Sequence, residues 1–317
     1  MKLSISELIN RQAQTITSGI TLPRVEGIKG ALEFEVASQM DRSETERDLD
    51  VYMPSKVNVG YDCSIETTRE YTYDNEVRVK FDNLEKDIPS IKQIVDRLAQ
   101  YSVVNSSCGM HIHLNLQALV GGDLRNATTL RRAQRLIIAN VSTCARFVNA
   151  FYGIAGLRKR NESEYARPFD NFDISKIKEI MHTRTLEEIA YKAEKYRMVN
   201  PKNVANDSYL PSERTLEYRF FSMDSAINKR AFRAPDVAQL ELNLFVLVNL
   251  ISCARFNATQ DIDKLRFDAK HPKALDSFKW FIHHCAKRPQ IAYFQDINRV
   301  KRILQRAYAN CQSFDNG

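Results

Sequence analysis

Apolar and polar residues alternate in short segments over the first two-fifths of the chain, whereas from residue 124 onward apolar residues recur at helical spacing. Side chains alternate between the two faces of a strand and return to one face of a helix after three or four residues. The pattern therefore predicts strands separated by turn-rich stretches such as 58–62, followed by a mainly helical part. The predicted strands are 29–37, 76–81, 109–116 and 215–221. The predicted helices are 87–98, 128–152, 174–181, 185–195, 236–256, 272–286 and 291–309, and the basic segment 156–172 is predicted to be an exposed loop.

The late strand at 215–221 indicates how the chain is divided, because it ties the second half to the sheet of the first half. We therefore predict one α+β domain over residues 27–317, preceded by an N-terminal helix or arm at 1–26. Its last part, 223–317, is predicted to be mostly helical. A chain of 317 residues with 44% hydrophobic content has enough apolar material for a sizeable core without disulfides.

Charge and cysteine usage narrow the function classes. The chain has 46 Lys and Arg against 39 Asp and Glu, and the net charge of +7 favours anionic partners. No basic stripe with interleaved aromatic residues is present in the sequence, which argues against nucleic acid as a partner. The six cysteines form no CxxC pair, which is typical of reduced thiols in a cytosolic protein.

The apolar segments predict a cytoplasmic protein with no membrane partner. The N-terminus is polar and amphipathic and lacks the continuous apolar core of a secretory signal. The most apolar stretch, 237–256, is interrupted by polar residues, so it suits a buried helix better than a membrane span.

Acidic side chains share one face of the first predicted strand. Glu33 and Glu35 alternate with apolar residues, so they point to the same side. Two carboxylates about 7 Å apart on one face repel unless a cation or solvent lies between them. A solvated outer face of the sheet is the alternative interpretation.

A histidine pair lies on the strand at 109–116. His111 and His113 share one face, and apolar residues occupy the other. Neutral imidazoles bind metal ions or donate to phosphate, so the pair is a candidate ligand pair. A single histidine in such a position is more often structural.

Two further strands carry charge on one face. Glu217 and Arg219 alternate with apolar residues, as do Glu76, Arg78 and Lys80. An acid and a base side by side form a surface pair of little energetic consequence. By itself the segment 76–81 also suits an exposed edge strand protected by charge.

Placed in one sheet, these strands gather a charged set of seven side chains on one face. Strands lie about 4.8 Å apart, so ligands from neighbouring strands converge on one or two ions. Carboxylates with a minority of imidazole suit Mg²⁺ or Mn²⁺. The set is Glu33, Glu35, Glu76, His111, His113, Glu217 and Arg219.

Six short motifs follow one another along the chain: Glu33-x-Glu35, Asp62-x-Ser64, Glu76, Cys108-Gly109-x-His111-x-His113, Tyr196-Arg197-x-x-Asn200 and Thr215-x-Glu217-x-Arg219-Phe220. In this order they resemble the putative amidoligase family, carboxylate-amine ligases related to glutamine synthetase and glutamate-cysteine ligase. The resemblance spans roughly residues 27 to 222. Cys63 stands where the family usually has glycine, so the backbone there need not adopt a positive φ.

The resemblance implies a glutamine-synthetase-like fold, a curved antiparallel sheet with helices on its convex face and with ATP and Mg²⁺ or Mn²⁺ on its concave face. The implied metal ligands are Glu33, Glu35, Glu76, His111 and Glu217. The implied nucleotide or substrate contacts are Arg160, Arg167, His113, Arg197 and Asn200. Glu35 and Arg219 are the implied catalytic residues, with Arg219 facing the transferred phosphate.

The implied reaction is ATP-dependent amide formation. A carboxylate-bearing amino acid, peptide or protein attacks the γ-phosphate, and an amine then displaces phosphate from the acyl phosphate. Two other classes remain open at this point. One is a catalytically inactive binding or assembly protein whose C-terminal helices form a homo-oligomer interface, and the other is a metal-dependent phosphoesterase or nuclease.

Overall fold

The structure, a computed structural model, describes residues 4–18, 28–155, 167–193, 197–205, 214–223, 232–285 and 291–316. Within these ranges the chain is an α+β protein with one antiparallel sheet. Its strands are β1 Gly30–Ser38, β2 Val57–Tyr61, β3 Tyr73–Phe81, β4 Ser102–Val103, β5 Met110–Asn115, β6 Val199–Asn200 and β7 Thr215–Phe221. Its α-helices are α1 Ile5–Thr17, α2 Arg42–Asp50, α3 Leu84–Tyr101, α4 Leu116–Val120, α5 Ala127–Arg146, α6 Val148–Ala155, α7 Asn171–Glu179, α8 Leu186–Lys192, α9 Val237–Ala258, α10 Ala274–His284 and α11 Ile297–Asn316.

The strand order across the sheet is β2-β3-β1-β5-β7-β6, and β4 pairs with the end of β1. All of these pairs are antiparallel. β1 therefore lies at the centre, between β3 and β5. Because β3 is flanked by β2 and β1, the alternative interpretation of 76–81 as an exposed edge strand is wrong.

One face of the sheet is apolar and fully covered. The four long strands bury their alternate apolar residues there: Leu32, Phe34, Val36, Val77, Val79, Phe81, Met110, Ile112, Leu114, Leu216, Tyr218 and Phe220. Burying one such side chain contributes about 1.5–3 kcal/mol. Helices that follow β5 in the chain pack here, since the Phe151 ring of α6 stacks on Phe220 at 4.8 Å between centroids and Asn140 of α5 accepts a 2.7 Å hydrogen bond from the Tyr218 hydroxyl. This layer leaves the charged face of the same strands for the site.

Several predicted elements differ from the observed ones. The turn-rich stretch 58–62 belongs mostly to β2, where Val57 and Val59 are buried at 7% exposure each on either side of Asn58. Its edge is covered by α2, because the Val59 amide donates to Glu46 Oε2 at 3.0 Å. We did not predict α2, since only Thr45 and Leu49 of its residues are buried and it shows no apolar stripe.

The observed bounds of two helices also differ from the predicted ones. The helix predicted at 87–98 begins earlier, at Leu84, where the Asn83 side chain accepts from the Lys86 amide. The helix predicted at 128–152 breaks at Phe147, whose backbone (φ −110°, ψ 17°) is not helical and whose ring packs 4.6 Å from that of Trp280. Side-chain packing thus ends a helix that local spacing would continue.

The N-terminal and apolar helices both belong to the packed structure. α1 buries Ile9, Ala13 and Ile16, and its Gln12 accepts a 2.9 Å hydrogen bond from the Tyr308 hydroxyl of α11. α9 is long and apolar enough to cross a membrane, but 78% of its most apolar 18-residue window is buried inside the protein. Such burial is what a core helix of a soluble domain shows.

Candidate functional site

The charged faces of four strands meet in one place because of the sheet register. Glu33 of β1 lies opposite Arg78 of β3 on one side and opposite His111 of β5 on the other. In the same way Glu35 lies opposite Glu76. Adjacent strands therefore place acids and bases side by side, and we call this group, with Glu217, His113 and Arg219, the carboxylate cluster.

The His111 imidazole lies among three carboxylates. Its Nδ1 is 3.4 Å from Glu33 Oε2 and 3.6 Å from Glu217 Oε1, and its Nε2 is 3.4 Å from Glu35 Oε1. All four side chains are almost fully buried. Buried carboxylates are costly unless they are paired or bind a cation, so solvent cannot account for this face. The solvated-face interpretation of β1 is wrong.

Glu217 is held by three side chains. Its Oε1 pairs with Arg219, two residues along β7. Its Oε2 accepts hydrogen bonds from Asn200 Nδ2 at 2.6 Å and from Asn203 Nδ2 at 3.1 Å. Because both oxygens are fixed, the orientation of this carboxylate is set before any ligand binds.

An irregularity in β7 lies next to the cluster. Met110 pairs with Phe221 and Ile112 with Tyr218, so two residues of β7, Arg219 and Phe220, lie opposite His111 alone. Extra residues of this kind redirect side chains near functional sites. Alternation along β7 already places Arg219 beside Glu217 and Phe220 in the core, and the irregularity brings the buried Phe221 opposite Met110.

Two contributors to the cluster were missed from the sequence. Arg78 donates from Nε to Glu33 Oε1 at 2.6 Å and lies 3.5 Å from Glu76 Oε1. In the sequence Arg78 alternates with apolar residues and shares a face with Glu76, but the charged residues of 76–81 also suited an exposed edge strand. Asn203 lies in a short 3-10 turn at Lys202–Ala205, where no periodic pattern marks it.

The electrostatic balance favours ionised carboxylates at the centre. Burial raises the pKa of Glu33, but the charge of His113, the close contacts with the two imidazoles and the charge of Arg78 outweigh it, so the pKa lies well below its ordinary value. The pKa of Glu217 is also lowered, since His113 and Arg219 outweigh burial. At the rim, burial and the charge of Glu33 raise the pKa of Glu76 to about 7.

His113 occupies a particular position in the cluster. Burial disfavours its cationic form, but Glu33 and Glu217 raise its pKa above the ordinary value. Its Nδ1 lies 3.2 Å from the Thr215 hydroxyl. Its Nε2 is 3.0 Å from Glu33 Oε2 without hydrogen-bond geometry, and it is one of the buried side-chain atoms without a hydrogen bond in the described part of the chain. An unsatisfied buried nitrogen of this kind is a ready donor or ligand.

The cluster fits a divalent cation. Glu33, His111 and Glu217 each offer one ligand atom, and these atoms lie within 4.8 Å of one another. Ligands of Mg²⁺ sit about 2.0–2.1 Å from the ion, so their mutual separations are about 3–4 Å and only a small adjustment is needed. Two carboxylates and one imidazole are a donor set for Mg²⁺ or Mn²⁺.

A cleft of about 470 Å³ adjoins the cluster and shares two residues with it, His113 and Arg78. We call it the basic cleft, because its described lining carries four basic side chains and a single carboxylate. The charged lining residues are Lys29, Lys56, Arg78, Lys80 and Asp82. The chain thus places a carboxylate-rich cluster next to a cleft whose lining is mainly basic.

The remaining predicted residues lie elsewhere. Arg197 Nη2 lies 2.7 Å from Asp173, and Nη1 donates to the Pro168 carbonyl at 3.0 Å, which ties β6 to the start of α7. Arg167 is exposed, and its carbonyl accepts from the Met198 amide at 3.0 Å. Arg160 lies outside the described residues. Cys63 is exposed and is not among the described residues with positive φ.

Fold and cluster together define an α+β protein with a buried carboxylate and imidazole site on one face of an antiparallel sheet. A family model described as a putative amidoligase enzyme matches residues 15–240, more than two thirds of the chain. The chain therefore belongs to the putative amidoligase family. Comparison with curated proteins gives no match.

Proposed function

We propose that the protein is an ATP- and Mg²⁺-dependent carboxylate-amine ligase that forms an amide or peptide-like bond through an acyl phosphate. Family membership supports an amide-forming ligase in general terms. The observation that carries the finer proposal is the adjacency of the two sites, since Arg78 and His113 belong to both the carboxylate cluster and the basic cleft. Phosphoryl transfer needs cations and positive side chains around the same phosphate oxygens.

Glu33, His111 and Glu217 are the residues that would hold a divalent ion, and Glu35 and Glu76 extend the set toward β3. The ion would supply a positive charge that stabilises negative charge on the phosphoryl oxygens. Asn200 and Asn203 fix the second oxygen of Glu217, so this ligand needs little reorganisation.

Arg219 and His113 act on the transferred phosphate in this proposal. Arg219 brings a guanidinium to the oxygen of Glu217 that faces His111, and in this proposal the transferred phosphate binds beside that pair. His113 offers its unsatisfied Nε2 at the boundary between the cluster and the cleft. Fixed positive charge at the place where negative charge develops lowers the barrier.

The basic cleft would bind the polyphosphate of ATP, with the terminal phosphate toward the cluster. The substrates in this proposal are a carboxylate-bearing amino acid, peptide or protein and an amine, in the cytoplasm. We also propose a glutamine-synthetase-like fold for these roles, and the antiparallel sheet with its helical layer supports that proposal.

Calorimetric titration tests the proposal. Wild-type protein should bind ATP only with Mg²⁺ or Mn²⁺ present, and Glu217→Gln should reduce that binding strongly while the circular dichroism spectrum stays the same. Absence of Mg-ATP binding at millimolar metal would favour an inactive binding or assembly protein. Cleavage of DNA or RNA by the metal-loaded protein without ATP would favour a hydrolase.

A further inference from the structure

A short turn forms part of the wall of the basic cleft. We call residues Pro54, Ser55 and Lys56 the Ser55 turn. All three line the cleft, and so do Lys29 and Asp82. Lys29 and Asp82 flank the Gly30–Phe81 pair, which lies three residues along β1 and β3 from the Glu33–Arg78 pair of the cluster. The turn connects α2 to the edge strand β2.

Ser55 has an unfavourable backbone conformation. Its φ is 61°, the left-handed region, and it is the sole non-glycine residue with positive φ in the described ranges. Such a conformation is unfavourable for a residue with a side chain, because Cβ comes too close to the following carbonyl oxygen. Strain of this kind persists where the surroundings impose it, and it is common at binding sites.

Three hydrogen bonds impose this conformation. The Ser55 amide donates to Asp50 Oδ1 at 2.7 Å, at the end of α2. The Lys56 amide donates to the Met53 carbonyl at 3.0 Å, and the Lys56 carbonyl accepts from the Lys80 amide at 2.8 Å. The turn is therefore fixed to both α2 and β3, and its geometry sets where the Lys56 side chain begins.

The fixed turn places Lys56 beside a second lysine. Lys56 Nζ lies 3.2 Å from Asp82 Oδ2, and Lys29 Nζ lies 3.1 Å from Oδ1 of the same carboxylate. Lys56 Nζ also lies 3.6 Å from Asp87 Oδ2, so Asp82 and Asp87 together position the two ammonium groups. Lys80 lines the same cleft and gives its lining a net positive charge. Asp82 is 65% exposed, so its ion pairs with the two lysines contribute little to stability and leave both ammonium groups accessible from the cleft.

We propose that Lys29 and Lys56, held by Asp82 and by the Ser55 turn, form an outer phosphate subsite of the basic cleft that binds the part of a polyphosphate farthest from the carboxylate cluster. The inference rests on the proposed nucleotide-dependent function and adds two residues that bind the ligand and one that positions them. In this proposal the cleft has two ends with separate tasks. The end at the carboxylate cluster contacts the reacting phosphate. The outer end binds the remaining phosphates and contributes to affinity.

Calorimetric titration with inorganic triphosphate and with Mg-ATP tests the subsite. Lys29→Met and Lys56→Met should each weaken triphosphate binding about tenfold or more, as expected for the loss of a hydrogen bond to a charged group. Lys56→Arg should restore most of the affinity. Lys86→Met, at an exposed lysine outside the described cleft lining, is the matched control and should bind like wild type.

The turn is tested by a pair of substitutions at one position. Glycine adopts φ near 60° without strain, whereas a β-branched residue strongly disfavours it. Ser55→Gly should therefore bind triphosphate more tightly than Ser55→Val. Equal affinities of the two variants would contradict the positioning role, provided that urea unfolding shows both to be folded.

The outcomes separate the two proposals. If wild type binds triphosphate or Mg-ATP but the Lys29 and Lys56 variants bind equally well, the outer subsite is wrong and the ligase proposal stands. If wild type binds neither ligand, the nucleotide-dependent function is wrong and the subsite falls with it. A salt dependence of triphosphate binding that is weaker in the Lys56→Met variant would give independent support.

Discussion

Arg78 donates a 2.6 Å hydrogen bond from Nε to Oε1 of Glu33 across the β1–β3 pair. The contact joins a residue of the basic cleft to a residue of the carboxylate cluster. It also gives a buried carboxylate a permanent cationic partner. Loss of this contact should therefore lower the stability of the fold and also disturb the site.

Arg78→Ala tests the stability consequence. We expect the free energy of unfolding to fall by about 1–3 kcal/mol at pH 7, because Glu33 stays buried with fewer partners. The lower part of that range allows for the 32% exposure of the Arg78 side chain. Urea unfolding measures the change.

Arg125→Ala is the matched control for Arg78. Arg125 pairs with Asp123 on the surface and is 81% exposed, so its loss should change stability by less than about 1 kcal/mol. Equal losses in the two variants would show that the Glu33 contact is energetically an ordinary surface pair.

Added Mg²⁺ or Mn²⁺ should raise the thermal midpoint of the wild-type protein. An ion that binds the folded state alone stabilises it in proportion to the logarithm of its concentration above the dissociation constant. The increase should vanish in Glu33→Gln and Glu217→Gln and should be reversed by a chelator. Asp268→Asn, at an exposed position outside the cluster, should keep the full response. If neither ion raises the thermal midpoint of the wild type, the proposed cation site is contradicted.

A buried contact beneath the sheet predicts the effect of Tyr218→Phe. The Tyr218 hydroxyl donates to Asn140 Oδ1 at 2.7 Å, and both residues have 0% exposure. Removal of the hydroxyl leaves the amide oxygen without this donor, so we expect a loss of about 1–2 kcal/mol in urea unfolding. Tyr61→Phe, at a position with 62% exposure, should be nearly neutral. Similar values for both would mean that α5 does not pack on β7 as described.

The pH dependence of stability is predicted for Glu241, which joins α9 to α3. Its Oε1 accepts from Lys92 Nζ at 2.8 Å and from the Tyr293 hydroxyl. Burial raises its pKa, but these hydrogen bonds outweigh burial, so the folded-state pKa is lowered. A lowered folded-state pKa means that the stabilisation is present above the unfolded-state value of about 4.3 and is lost as pH falls through the folded-state value.

Glu241→Gln should therefore be less stable than wild type by about 1–2 kcal/mol at pH 7. The difference should shrink as the pH falls below about 4.3, since both states of wild type then become protonated. Urea unfolding across this pH range measures it. A difference that stays constant, or grows toward acid pH, would reverse the predicted sign.

Alternation in the sequence was enough to predict the central strands and their charged faces. The strands at β1, β5 and β7 agree with prediction within a residue or two, because apolar residues at every second position have no other packed arrangement. The gathering of Glu33, His111 and Glu217 followed from that alternation. The contributions of Arg78 and Asn203 to the site did not follow from it.

Strand order, register and tertiary packing determine the positions of the residues that alternation did not predict. Arg78 belongs to the site because β3 is an interior strand, with β2 on the side away from β1. The local sequence of β3 does not predict that β2 pairs with it. Asn203 reaches Glu217 from a 3-10 turn, and Ser55 depends on a backbone angle set by Asp50 and by neighbours on β3. Each of these contacts joins segments whose meeting is fixed by tertiary packing.

The most direct test of the central claim is a coupled product assay. Purified protein is incubated with Mg-ATP and pools of amino acids and peptides, and ADP release is measured together with the mass of any condensation product. We predict ADP and a condensed product in equal amounts with wild type, and neither with Glu35→Gln or Arg219→Ala, although both variants stay folded. Wild-type-like turnover in either variant, or ADP release without any condensed product across the pools, would contradict the account.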